Sequence, residues 1–180
     1  HRITGKLVVA RRRGEEDSLE ALYANARASG ARGVRRLASR EVASFEADLP
    51  EMFAGLHCPY SGIVDTVALA HSLRLDAESA GAIFLFGAEV SGIEEDGPFR
   101  IHSSRGSLVA HSVVNAGGLD ADLIARMLHP AGPEHHPCRG DYFRLRGRRS
   151  FRHLIYPVRT PGDPGLGIHL TLDLQGRIRL

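Results

Sequence analysis

Three stretches of the chain combine residue types and spacings that could do chemistry. The first is Gly167-Ile168-His169-Leu170-Thr171, a lone imidazole in an apolar segment. At the end of a strand facing a cleft it could serve as acid, base or anion partner. The same setting also suits a hydrogen-bonded structural histidine. If the segment is a strand, His169 points to the face opposite Ile168 and Leu170. The second stretch is Val113-Val114-Asn115-Ala116-Gly117-Gly118-Leu119-Asp120, read as a buried strand, small residues, then a helix cap. Such glycines let a backbone approach a nucleotide closely, and a tight turn without a ligand fits equally well. The third runs from Arg139 to Arg152. It holds arginines at 139, 144, 146, 148, 149 and 152 against one acid, Asp141, interleaved with Tyr142, Phe143 and Phe151. This pattern can bind single-stranded nucleic acid. A solvated strand face and basic loop are favoured, because the net charge of the chain is only +2. Nucleic acid is therefore not expected as a partner.

Other chemistries lack support. The chain has ten histidines, but the adjacent His135 and His136 do not share a face, and no His-x-x-x-His or carboxylate set accompanies them. No metal site is expected. Neither a Gly-x-Ser-x-Gly elbow nor a phosphate-binding Gly-x-x-x-x-Gly-Lys-Ser/Thr loop occurs. Cys58 and Cys138 have no Cys-x-x-Cys spacing and are expected to be free buried thiols in a reducing, cytoplasmic setting, with peripheral membrane attachment open. No apolar run is long enough to cross a bilayer as a helix. Lys6 is the single lysine among 23 Lys and Arg residues, which reads as a composition bias.

The elements that must position these residues can be read from pattern. Gly5–Ala10 is a short buried strand, and the acids after Arg11-Arg12-Arg13 suit a helix start. Leu19, Leu22, Tyr23 and Ala26 form one helical face, ended near Gly30. A second short helix starts at Ser39, and Phe53–His57 is extended. Asp65 caps a helix carrying Leu69, Leu73, Ala77 and Ala80, with Gly81 as its stop. Ala82-Ile83-Phe84-Leu85-Phe86 reads as a strand buried on both faces, as in a parallel sheet. Glu89–Ile93 is extended, and Phe99–His102 with Ser107–Val114 forms a hairpin around Ser103–Gly106. From Pro137 onward the strands are broken by Gly and Pro, and Arg177–Leu180 is extended. The expectation is helix with parallel strand in the middle and antiparallel sheet at the ends, a chain passing between two domains.

Several of these strings together resemble one family. Gly5–Ala10, Gly62-Ile63-Val64-Asp65, Glu89–Ile93 and Val113–Leu119 resemble FAD-dependent oxidoreductases of the D-amino-acid-oxidase type. Arg139-Gly140-Asp141-Tyr142-Phe143, Leu154-Ile155-Tyr156-Pro157-Val158 and Gly167–Thr171 resemble its L-2-hydroxyglutarate dehydrogenase/oxidase branch. The family's opening Gly-x-Gly-x-x-Gly fingerprint and its closing glycine-rich segment are not in these residues, so the chain reads as the central half of a longer enzyme, with both ends cut. The resemblance implies a mixed α/β and α+β fold: part of a Rossmann-like FAD domain at 57–136, with a mixed-sheet substrate domain contributed by 1–56 and 137–180. It implies FAD as cofactor, with the backbone of Val90 at the adenine and Ala116, Gly117 and Gly118 approaching the adenosine and pyrophosphate. It implies a small carboxylate substrate, with His169, Tyr142, Tyr156 and Arg139 as candidates to hold it and to take a proton. No electron acceptor is implied.

The leading expectation is thus a flavoenzyme that oxidises a small 2-hydroxy acid by hydride transfer. An amino-acid or amine oxidase of the same fold is the near alternative. A cofactor-less binding domain is the alternative should the chain be complete.

Overall fold

The computed structural model describes residues 1–147, 150–159, 162, 165 and 167–180. The strands are β1 (Arg2–Ile3), β2 (Lys6–Ala10), β3 (Arg35–Ala38), β4 (Ala54–Cys58), β5 (Gly62–Ile63), β6 (Val90–Glu95), β7 (Phe99–Ser103), β8 (Gly106–Ala110), β9 (Leu154–Pro157), β10 (Thr171–Leu172) and β11 (Ile178–Arg179). The helices are α1 (Glu16–Ala28), α2 (Ser39–Phe45), α3 (Thr66–Ser79) and α4 (Ala121–Arg126). The chain divides into two compact units, one of residues 1–73 with 141–180, the other of 74–140.

The first unit is built on a four-stranded sheet in the order β3-β4-β2-β9. β2 pairs antiparallel with β4 and parallel with β9, so it has neighbours on both edges. Lys6-Leu7-Val8-Val9-Ala10 alternates between two covered faces. Leu7 and Val9 pack with Leu37, Val42, Met52 and Ile155, while Val8 and Ala10 pack with Leu19 of α1, Leu56 and Val158. Burial on both sides explains why this strand is a continuous apolar run. α1 docks through Leu19, with Tyr23 and Ala26 half-buried, whereas Leu22 of the expected face is exposed. The arginines before it are neutralised locally: Arg11 and Arg12 both pair with the buried Glu15, at 3.8 and 3.2 Å. α2 starts at the predicted Ser39, where the Glu41 carboxylate accepts the Ala38 N–H at 2.8 Å.

α2 hands over to a buried carboxylate. Glu46, 2% exposed, accepts the Arg152 and His153 backbone N–H groups, each at 2.8 Å, and His153 Nδ1–H at 2.7 Å. This one side chain ties the end of α2 to the entry of β9. Beside it, the His57 ring lies 4.6 Å from Phe45 and 5.7 Å from His153, edge-on to the latter. Burial first, then the charges of His153 and Arg35, hold the His57 imidazole below its ordinary pKa.

The second unit holds the antiparallel meander β6-β7-β8, with a bulge between Val90 and Gly92. The hairpin forms as expected, though its second strand ends at Ala110 rather than Val114. α3 spans the sequence boundary of the units and is capped by Asp65, whose Oδ1 accepts the Ala68 N–H at 3.0 Å.

Three expectations are overturned here. The parallel pairing is not in the middle of the chain, where the sheet is antiparallel, but joins β2 to β9 in the first unit. Ala82–Phe86 is not a strand but exposed coil, with Ile83 at 94%. Val113-Val114 is not a buried strand either, and Val114 is 89% exposed. A strand apolar on both faces needs neighbours on both edges and a layer on each side, and no described residue supplies them. The same holds for α3, whose Leu69 and Leu73 lie open. The thiols are free but not buried: Cys138 is exposed and Cys58 half-buried. The mixed helix-and-sheet fold class itself stands.

Candidate functional site

Within the first unit the pairing of β2, β9 and the β10 approach gathers side chains from both ends of the chain. Val8 is in register with Tyr156 on β9. Leu170 bridges Ile155 on the outer edge of β9 through two backbone hydrogen bonds of 3.0 and 2.8 Å. His169 therefore comes to the neighbour of Ile155, and its ring stacks on Tyr156, centroids 4.5 Å apart at 23°. Tyr142 closes on the imidazole edge-on, at 6.0 Å and 89°. Three of the four substrate candidates thus form one constellation. The fourth, Arg139, belongs to the second unit and is exposed there.

The expected alternation around His169 is corrected. Ile168 is 85% exposed and Leu170 7%, so the two do not share a face. Residues 167–169 are a turn rather than a strand. Gly167 has φ +67°, a conformation other residues rarely adopt, and its carbonyl lies 2.9 Å from His169 Nδ1. A carbonyl only accepts, so Nδ1 carries the proton. In the neutral ring Nε2 is then left with a free lone pair, the form a general base needs. Burial, then the neighbouring Tyr142, pushes the Tyr156 phenol above its ordinary pKa. It stays a neutral O–H donor, suited to hold a carboxylate.

Sequence reasoning missed Lys6. Its Nζ lies 5.5 Å from the centroid of the same Tyr156 ring, a cation–π contact. The available signal was compositional, a single lysine in an arginine-rich chain.

In the second unit Asn115 builds the glycine turn. Its Oδ1 accepts the Gly117 N–H at 3.1 Å and its Nδ2 donates to the Ala121 carbonyl at 2.7 Å. A Cβ at Gly117 would meet Ile124 Cδ1 at 2.6 Å, so the helix that follows takes up that space. Gly118 has φ +60° with nothing within 4 Å of a Cβ, and Ala116 is exposed. The turn is therefore compact inside and open outside at Ala116 and Gly118. Val90 is half-buried at the start of β6. His135 is anchored structurally: its backbone N–H donates to the buried Asp122 at 3.2 Å. That bond comes first among those holding the Asp122 carboxyl below its ordinary pKa. Among the described residues no group of three His, Cys, Asp or Glu could hold a metal. In the arginine-rich stretch Phe151 is buried, Tyr142 and Phe143 are exposed, and Arg148 and Arg149 lie outside the described residues. No described helix is long and apolar enough to cross a membrane.

The fold has close counterparts among oxidases. A TM-score of 0.79 relates it to L-alpha-glycerophosphate oxidase from Mycoplasma pneumoniae, a structure with FAD bound. That match is 22% identical and covers 98% of this chain and 48% of the other. Glycine oxidase from Geobacillus kaustophilus superposes with a TM-score of 0.75 at 20% identity, covering 99% of this chain and 46% of that one. These define a fold class. The chain belongs to the FAD dependent oxidoreductase family, DAO, whose profile matches residues 1–180. Among curated relatives, L-2-hydroxyglutarate dehydrogenase of Indibacter alkaliphilus is 30% identical over 98% of this chain and 45% of its own length. The mitochondrial L-2-hydroxyglutarate dehydrogenase of Homo sapiens is 32% identical over 98% of this chain and 41% of its own. The chain spans less than half the length of these relatives.

Proposed function

We propose that the protein containing this chain oxidises a small 2-hydroxy acid of the L-2-hydroxyglutarate type, with FAD as its cofactor. The observation that carries this is the Tyr142–His169–Tyr156 constellation, set in a chain matched along nearly its whole length by L-2-hydroxyglutarate dehydrogenases. The first unit supplies substrate contacts and the second part of the FAD-binding surface. The open outer side of the Asn115–Gly118 turn fits the close approach of a bulky planar or phosphate group at Ala116 and Gly118. Val90, Ala116, Gly117 and Gly118 would hold the adenosine portion, with Gly117 packed on Ile124 as well. When bound, FAD supplies the two-electron acceptor for the hydride leaving the alcohol carbon.

The residues of the chain do the rest. His169 Nε2 receives the proton of the 2-hydroxyl, while Nδ1–H stays on the Gly167 carbonyl and fixes the ring. Loss of that proton and of the hydride from the carbon leaves a 2-oxo acid. The Tyr156 hydroxyl donates to the carboxylate, and Tyr142 holds the imidazole edge.

The test is turnover by the full-length, flavin-loaded protein with an artificial electron acceptor. L-2-Hydroxyglutarate should yield 2-oxoglutarate without ammonia. Ammonia released from glutamate or glycine, with no turnover of hydroxy acids, would favour an amino-acid oxidase instead.

A further inference from the structure

We propose that Lys6 and the cleft beside it form a second carboxylate subsite, which selects a short 2-hydroxydicarboxylate over a monocarboxylate. This rests on the substrate reading above and deepens it. Lys6 and Val8 point to the same face of β2, and Val8 is in register with Tyr156. The ammonium thus reaches the ring on which His169 is stacked. One tyrosine ring carries the proposed base on one contact and a cation on another. In this reading the hydroxyl end of a short dicarboxylate lies at His169 and its far carboxylate at Lys6.

Three observations support a ligand role over a structural one. Lys6 forms no ion pair among the described residues; like Arg27 and Arg32 it lies over a tyrosine ring, and of these three only Lys6 meets a ring on which a histidine is stacked. An ammonium has three donors and no acceptor, and an aromatic face satisfies its charge without using those donors. Second, Lys6 is the single lysine in a chain that otherwise uses arginine for every basic position. An ammonium here is a compact point charge, where a guanidinium would be a planar fork. Third, Lys6 and Tyr156 line a cleft of about 430 Å³ between α1 and β9, with Ser18 and Asn25 as polar groups and Val8 and Leu22 as apolar wall. Methylenes against the wall and a carboxylate at the polar end match a dicarboxylate.

The experiment uses the full-length, flavin-loaded protein. Calorimetry gives the affinities of two unreactive probes, glutarate and valerate, for wild type, Lys6→Met and Lys6→Gln, with flavin content confirming that each variant is folded. The glutarate-to-valerate affinity ratio should fall by about 10–100-fold in both variants, the worth of one charged hydrogen bond. The kcat/KM ratio of L-2-hydroxyglutarate to L-2-hydroxyvalerate should fall in parallel, with Lys6→Arg recovering part of it. An unchanged ratio, or equal weakening of both probes, would overturn the subsite. A wild type that binds glutarate in a Lys6-dependent way without oxidising L-2-hydroxyglutarate would uphold the subsite and contradict the reaction.

Discussion

Among single residues, the role of His169 depends on which of its nitrogens carries the proton. The Gly167 carbonyl fixes it on Nδ1, so His169→Ala removes the acceptor at Nε2 and leaves the β9–β10 contacts of Leu170 in place. Turnover should fall by ~100-fold or more, as for loss of a general base, with flavin content and melting temperature near wild type. A lowered melting temperature with normal turnover per folded molecule would make the histidine structural. At Gly117 packing inside the turn sets a limit of its own. Gly117→Ala sets a Cβ 2.6 Å from Ile124 Cδ1, a side-chain end able to turn away, and 3.2 Å from Asn115 Oδ1, whereas Gly117→Val adds two more carbons to a filled turn. The valine variant should lose about 1–3 kcal/mol in denaturant unfolding, and adding Ile124→Ala should restore part of it. Absence of any rescue would show that the crowding partner is not Ile124.

Among the elements, the link from α2 to β9 runs through Glu46. Glu46→Ala leaves two backbone N–H groups and an imidazole N–H without their acceptor and should cost about 2–4 kcal/mol; thermal melts check this. The adjoining His57 makes the same region acid-sensitive. Its folded pKa lies below the ordinary value near 6.5, so the unfolded chain takes up the proton first as pH falls. Stability from this group is present above that ordinary value and is lost as pH falls through it. The drop in melting temperature from pH 7.5 to 5.5 should therefore be smaller in His57→Phe than in wild type, and an equal drop would remove His57 as its source. Elements with local signals could be read directly: the Asp65 cap, the Ser39 start and the Ser103–Gly106 hairpin all sit where pattern puts them. Tyr142, Tyr156 and His169 were named from sequence strings, but their meeting depends on β2 pairing with β9 from the far end of the chain. No local pattern encodes that register, which is why Lys6 and the Glu46 latch went unseen. Ala82–Phe86 misled for the opposite reason: its composition is that of a buried strand, and no described neighbour buries it.

For the whole molecule, the open apolar segments Ala82–Phe86, Val113-Val114 and the α3 leucines match a chain that spans under half the length of its relatives. Expressed alone, the 180 residues should bind a hydrophobic dye and take up FAD only weakly, since no Gly-x-Gly-x-x-Gly turn is present to receive the pyrophosphate; submicromolar affinity would contradict this. The central claim is that His169 receives the proton as a 2-hydroxy acid is oxidised by the FAD-loaded protein. Rapid anaerobic mixing of the full-length protein with L-2-hydroxyglutarate tests it most directly, followed by the loss of oxidised-flavin absorbance in wild type and His169→Ala. Bleaching is expected in wild type, about 100-fold slower in the variant, and in neither protein with glutamate. Bleaching by glutamate but not by the hydroxy acid, or equal rates in the two proteins, would contradict it.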